Sequence, residues 1–189
     1  MRFQTHPKLI PLPAPVVLPV VLPVVLPVIL LVVLTCGGVC AAQGKEPLQS
    51  PNGSPVTISS LEGKVVVLAF GGTWVPLFAR ELLSLQRLAN RYESRQVAIY
   101  WVSIDSDKPA TRNYASNDEL LAFLKRSNLK MPVLRDPGME LYHSFDLNAV
   151  PTVVILDQKG RLVRRYVGIG TEQGEVYAEI IEQIERLIH

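Results

Sequence analysis

Cys36 and Cys40 are the only thiols of this chain, and His6, His143 and His189 are its only imidazoles. Two cysteines are too few for a disulfide-rich scaffold. With three histidines scattered along the chain they make no zinc site either, so no metal and no cofactor is expected. Asp105 and Asp107 flank a polar loop with room for a cation, although acids in such loops ordinarily face water. Arg161, Arg164 and Arg165 form a small basic cluster, better explained as a solvated strand face than as an anion site. The formal charge of +2 is too small for a nucleic-acid binder that must neutralise many phosphates. His143 reads as a solvated or capped helix residue. What remains is a turn, Gly71-Gly72-Thr73-Trp74, continued by Val75-Pro76-Leu77-Phe78. Thr73 is its one hydroxyl, and no histidine lies near it in sequence to act as a base.

That turn sits between two elements with clear patterns. Val65 to Phe70 is a continuous apolar run, which predicts a parallel central strand buried on both faces. Pro76 suits the first position of a helix, and Phe78, Leu82, Leu85, Leu88, Ala89 and Tyr92 keep helical spacing behind it. Val97 to Ile104 reads as a second strand and Asp105 to Ala115 as a polar loop. Ser116-Asn117-Asp118-Glu119 is a capping box that opens a helix running to about Ser127. Met131 to Leu134 is a short apolar piece, and Met139, Leu141, Tyr142 and Phe145 suggest a brief helix. Val153 to Leu156 is another buried strand. Asp157-Gln158-Lys159-Gly160 then turns it into an antiparallel hairpin with Leu162 to Val167. Glu175 to Ile188 closes the chain with Val176, Ile180, Ile184 and Leu187 on one helical face. The order predicts an α/β fold, a mixed central sheet flanked by helices on both faces.

The first 42 residues read as an address. Arg2 and Lys8 precede an entirely apolar stretch from Leu9 to Leu34, and no acid occurs before Glu46. Basic start, apolar middle and small-residue end are the order of a secretory signal. Val16-Val17-Leu18-Pro19 is repeated twice more, and proline at each fourth position removes helix donors at roughly 3 kcal/mol or more apiece. The longest proline-free apolar run, Val28 to Leu34, suffices for a signal core but not for a membrane span of about 20 residues. Three processing outcomes stand: cleavage after Cys40-Ala41-Ala42, lipidation at Cys36 through the lipobox-like Val33-Leu34-Thr35-Cys36, or an uncleaved anchor. Cleavage before Gln43 removes both cysteines. It also removes the two basic residues that give the chain its formal charge of +2, leaving none. Residues 43–54 are polar and rich in Pro, Gly and Ser and read as a linker; 55–189 is the domain.

Gly63 to Trp74 resembles the strand and turn before the active site of TlpA-like thiol–disulfide reductases, the redoxin branch of the thioredoxin fold. Ala149-Val150-Pro151-Thr152 resembles that family's cis-proline loop, and Asp157 to Arg161 its hairpin turn. The similarity runs from about Val56 to Ile188, so the resemblance implies a thioredoxin-like fold. The family motif is W-C-x-x-C; here Trp74-Val75-Pro76-Leu77-Phe78 stands in its place. Glu81 falls where many members carry a glutamate, and it also fits a plain helix-surface carboxylate. Disulfide exchange needs one thiolate to attack and a second thiol to resolve. Val75 and Phe78 can do neither, and a copper-carrying relative would likewise need the cysteines.

The expectation is therefore a redox-inactive protein- or peptide-binding or scaffold module with no catalytic residue of its own, exported to the periplasm or another extracytoplasmic space. Its partner would be an extracytoplasmic protein or extended peptide, with membrane contact only through the N-terminal segment. The resemblance implies that Val150, Pro151 and Thr152 receive such a peptide by backbone pairing, with Trp74, Val75 and Phe78 as an apolar floor. Core packing of Trp74 and Phe78 is the competing reading. Two alternatives stand beside the module: an oxidoreductase or antioxidant redoxin using a cysteine from a partner or from a retained Cys36/Cys40 tail, and a purely structural envelope subunit.

Overall fold

The computed structural model describes residues 48–189 apart from Leu77 and Ser94. The signal-like segment 1–42 with Cys36 and Cys40, residues 43–47 of the expected linker, and Leu77 lie outside the described residues. The strands are β1 (Leu48–Gln49), β2 (Pro55–Val56), β3 (Val65–Gly71), β4 (Val97–Ser103), β5 (Val133–Arg135), β6 (Thr152–Leu156) and β7 (Leu162–Val167). The helices are α1 (Phe78–Arg91), α2 (Asn117–Arg126), α3 (Glu140–Ser144) and α4 (Glu175–Ile188), with a 3-10 turn at Ile58–Leu61. Among the described residues no helix is long and apolar enough to cross a membrane.

All seven strands join one sheet in the order β2-β1-β5-β4-β3-β6-β7. β3 runs parallel to β4 and antiparallel to β6, and β4 runs parallel to β5. Successive side chains of a strand point to opposite faces, so the unbroken apolar run of β3 feeds two cores. Val65, Val67 and Ala69 face α1, α2 and α4 with Leu82, Leu85, Trp101, Leu120, Ile180 and Ile184. Val66, Leu68 and Phe70 face the 3-10 turn and α3 with Ile58, Leu61, Leu141, Tyr142 and Phe145. Each fully buried side chain of this size contributes about 1.5–3 kcal/mol relative to exposure, which fixes β3 in the interior of the sheet, between β4 and β6.

The local signals act where expected. Ser116 accepts from the Glu119 amide, and the Glu119 carboxylate accepts from the Ser116 amide, so α2 opens on a complete capping box. That reciprocal bond holds the Glu119 carboxyl below the usual carboxylate range. In the β6–β7 turn, Asp157 accepts from the Lys159 and Arg161 amides, and Gly160 takes a left-handed φ of 71°.

Two boundaries depart from expectation. The expected linker is partly structured: Leu48 pairs with Val56, and Gln49 with both Pro55 and Arg135, which extends the sheet beyond β5. Leu48 is buried in the core of the α3 face. A two-residue strand is too short to show alternation, so its composition read as linker. Pro76 lies in the turn rather than opening the helix, and α1 begins at Phe78.

Candidate functional site

The site is the C-terminal end of β3, where the sheet stops and α1 begins. Val75 donates its amide to the Gly72 carbonyl at 3.1 Å, and Phe78 donates to the Val75 carbonyl at 3.3 Å, so the chain reverses within one tight turn. Gly71 is dictated by close approach: a Cβ there would strike the buried Phe78 ring, whereas one on Gly72 would meet only the exposed Trp74 ring. The Phe78 ring therefore fills the space above Gly71. It also meets the Trp101 ring edge-on at 5.8 Å, while Trp101 Nε1 donates to the Gly71 carbonyl at 3.0 Å.

This geometry separates the three residues expected to form an apolar floor. Trp74 is 49% exposed, but Val75 is 9% and Phe78 1% exposed. The floor reduces to Trp74 alone, because Phe78 is turned into the core of the α1 face. Pro76 is exposed.

The turn is anchored from below by a residue whose role the sequence hid. Asp105, expected to face water, is fully buried. Its carboxylate accepts from the Thr73 amide at 3.1 Å, the Thr73 hydroxyl at 2.7 Å and the Ser103 hydroxyl at 2.8 Å. The buried Arg135 guanidinium donates to the carbonyls of Asp105 and Ser106 and to Asn117 Oδ1. Its Nε has no partner among the described residues. Thr73 is thus a donor held in place, not a nucleophile. Asp107 is exposed.

Beside the turn lies the second half of the site. β3 and β6 pair Phe70 with Thr152, so the antiparallel register carries Gly71 and Pro151 to the same end of the sheet. The Val150–Pro151 peptide bond is cis. Val150 and Pro151 are half-buried. Among the described residues, neither the N–H nor the C=O of Val150 has a backbone partner. Thr152 differs from the expectation of a peptide contact. It is buried, and its hydroxyl donates to the Ala149 carbonyl at 2.7 Å.

Glu81 joins the two halves. It lies in the first turn of α1, half-buried, and accepts from the Ile169 amide at 3.3 Å. Burial pushes its carboxyl above the usual range, and the Ile169 hydrogen bond only partly opposes this. The adjacent Gly168 amide donates to the Pro151 carbonyl at 2.8 Å. The segment after β7 is therefore pinned both to α1 and to the cis-proline loop.

The other candidates lie apart. His143 is exposed on α3, while its neighbours Tyr142 and Phe145 pack against Phe70. The arginine cluster separates into three local contacts: Arg161 with Asp157, Arg164 over the Tyr166 ring, and Arg165 with Asp146 and the Phe145 carbonyl.

The family described as AhpC/TSA matches residues 41–165. The thiol-disulfide oxidoreductase ResA of Bacillus cereus is 29% identical over 130 residues, which cover 68% of this chain and 70% of that protein. The ResA of Halalkalibacterium halodurans is 26% identical over 136 residues, 71% of this chain and 72% of that protein. StoA from Bacillus subtilis superposes with a TM-score of 0.57 at 21% identity, covering 74% of this chain and 94% of that structure. The fold is thioredoxin-like, as the resemblance implied, and both ResA relatives are named thiol-disulfide oxidoreductases; the matched span includes the turn at Val75 to Phe78, where this chain has no cysteine.

Proposed function

The chain belongs to the AhpC/TSA family, and on that premise we propose that its domain is an exported peptide-binding module that performs no thiol chemistry of its own. The observation that carries this reading is Val150, whose N–H and C=O have no backbone partner among the described residues, half-buried at the end of the sheet that also bears the exposed Trp74. An extended segment pairing with the N–H and C=O of Val150 would gain main-chain hydrogen bonds, and its side chains would rest on the Trp74 ring. Asp105 and Glu81 hold the turn and the post-β7 segment rigid, which lowers the ordering cost of binding. Val75 and Phe78 occupy the positions where disulfide exchange would need sulfur, and neither ionises.

Trp74 is exposed and Trp101 fully buried, so emission changes on peptide addition report Trp74. Titration of the purified protein with a blocked neutral pentapeptide, acetyl-Ala-Val-Thr-Val-Ala-amide, should shift emission to shorter wavelength and move the Val150 amide resonance. Trp74→Ala should abolish the emission change. Insulin reduction by dithiothreitol should stay at background in a preparation whose intact mass shows residues 1–42 removed. Turnover by that thiol-free protein would refute the redox-inactive reading. A second reading, a thiol–disulfide oxidoreductase supplied with a cysteine by a partner or by a retained Cys36/Cys40 tail, is favoured by the names of the relatives. It predicts turnover only when that thiol is present.

A further inference from the structure

β4 is seven residues long, but its neighbour β5 covers only the last three of them, Trp101 to Ser103. The N–H and C=O of one strand residue point to the same side, and the side alternates along the strand. Trp101 donates toward the β5 side, to the Pro132 carbonyl at 3.2 Å. Ile99 and Val97 therefore face the same way. The Val97 amide turns back to the Arg95 carbonyl. Among the described residues the Val97 C=O and both backbone groups of Ile99 have no partner.

The reason is local. Gln86 of α1 accepts from the Lys130 amide at 2.6 Å and the Met131 amide at 2.8 Å. The chain entering β5 is thereby tied to the helix instead of running alongside β4, and Pro132 has no N–H to offer. A cleft of about 880 Å³ remains, floored by Val97 to Tyr100 and walled by α1 and the 128–132 segment. Its charged lining is Lys64, Arg87, Lys130 and Glu93. Arg87 is paired with Glu172. Lys64 and Lys130 have no carboxylate partner among the described residues, so the cleft presents two uncompensated cations against one acid.

We infer that this open stretch of β4 is a second binding site, distinct from the Trp74–Val150 end of the sheet, and that it takes a short acidic peptide segment by strand addition. The segment would lie in line with β5 and supply two N–H donors, to the Val97 and Ile99 carbonyls, and one carbonyl acceptor, to the Ile99 amide. Four residues at about 3.3 Å each span the uncovered part of β4. Acidic side chains at its ends would meet Lys64 and Lys130.

The probe is acetyl-Glu-Val-Thr-Val-Glu-amide, followed by amide resonances and titration at low salt. The Val97, Ala98 and Ile99 amides should shift on binding. The same peptide with alternate amides N-methylated should lose measurable binding. Replacing its glutamates by lysine, or the combined change Lys64→Glu with Lys130→Glu in the protein, should weaken binding about tenfold, since exposed ion pairs contribute modestly. These lysines are surface groups, so the fold should persist, and an unchanged melting temperature checks this. The inference is overturned by no binding up to millimolar peptide, by equal binding of the N-methylated peptide, or by shifts centred on Trp74 and Val150 instead. The last would leave the Trp74–Val150 proposal standing. Protection of the Ile99 amide that grows with protein concentration in the absence of peptide would assign the edge to a second copy and overturn the peptide assignment.

Discussion

Putting two thiols back into the turn tests whether the geometry around Val75 and Phe78 still supports disulfide chemistry. The perturbation is Val75→Cys combined with Phe78→Cys. The Phe78 ring is fully buried over Gly71 and edge-on to Trp101. Removing it loses apolar burial, leaves a cavity and ends the ring pair, at about 4 kcal/mol in all. Val75 is nearly buried, and its replacement by a smaller side chain adds about 1 kcal/mol. Against a typical domain stability of about 5–15 kcal/mol, the reduced double variant stays folded but melts roughly 10–20 °C lower. Its oxidised form should recover part of that loss, since closing a four-residue loop stabilises by about 2 kcal/mol in the chain-entropy treatment. The first thiol, beside the N-terminus of α1, should titrate below the free value of about 8.5. Thiol counting, melting of both forms and an insulin assay read out the result. A folded variant whose thiols never pair would show that this turn has left the geometry of the family, and the placement of the ancestral site at Val75 and Phe78 would be wrong.

Asp105→Ala should cost about 3 kcal/mol in urea unfolding, because it strands the Thr73 amide and hydroxyl at a buried position, and the Trp74 emission should change with it. Ser116→Ala removes the acceptor of the α2 capping box and should cost about 1 kcal/mol. Glu81 binds its proton more tightly folded than unfolded, so the native state holds the extra proton between the ordinary carboxyl value of 4.5 and the raised one. Wild type should therefore lose stability relative to Glu81→Gln as pH rises through that interval, and parallel denaturant curves across pH 4 to 8 check the sign. An unchanging difference would mean that the Ile169 hydrogen bond offsets the effect of burial in full.

What could be read beforehand was local or periodic. Val65 to Phe70 announced a doubly buried strand because every side chain is apolar, and the Ser116–Glu119 spacing is itself the hydrogen-bonded unit that opens α2. The site was legible only as positions in a turn. Which way Phe78 points depends on Gly71 and Trp101, and Trp101 lies on another strand. Asp105 looks like any loop acid until β4 carries it beneath Thr73, 32 residues away in sequence. Arg135 gave no signal at all, since its partners are two backbone carbonyls and Asn117. β1 and β2 were hidden for a different reason: two residues cannot display a period, and the burial of Leu48 is decided by Val56 and by Gln49 beside Arg135.

The Phe78 ring seated over Gly71 has a consequence for descent. A chain carrying two thiols and this chain are separated by at least two substitutions, and the first of them alone gains nothing. Phe78→Cys alone empties the space above Gly71 and yields a single sulfur with no partner to resolve it. Val75→Cys alone yields a lone, nearly buried thiol with no partner to resolve a mixed disulfide. Nor can Gly71 change ahead of Phe78, because any Cβ there would strike the ring. Selection acting one substitution at a time meets a barrier on every side, so a sequence that reaches this arrangement tends to stay in it.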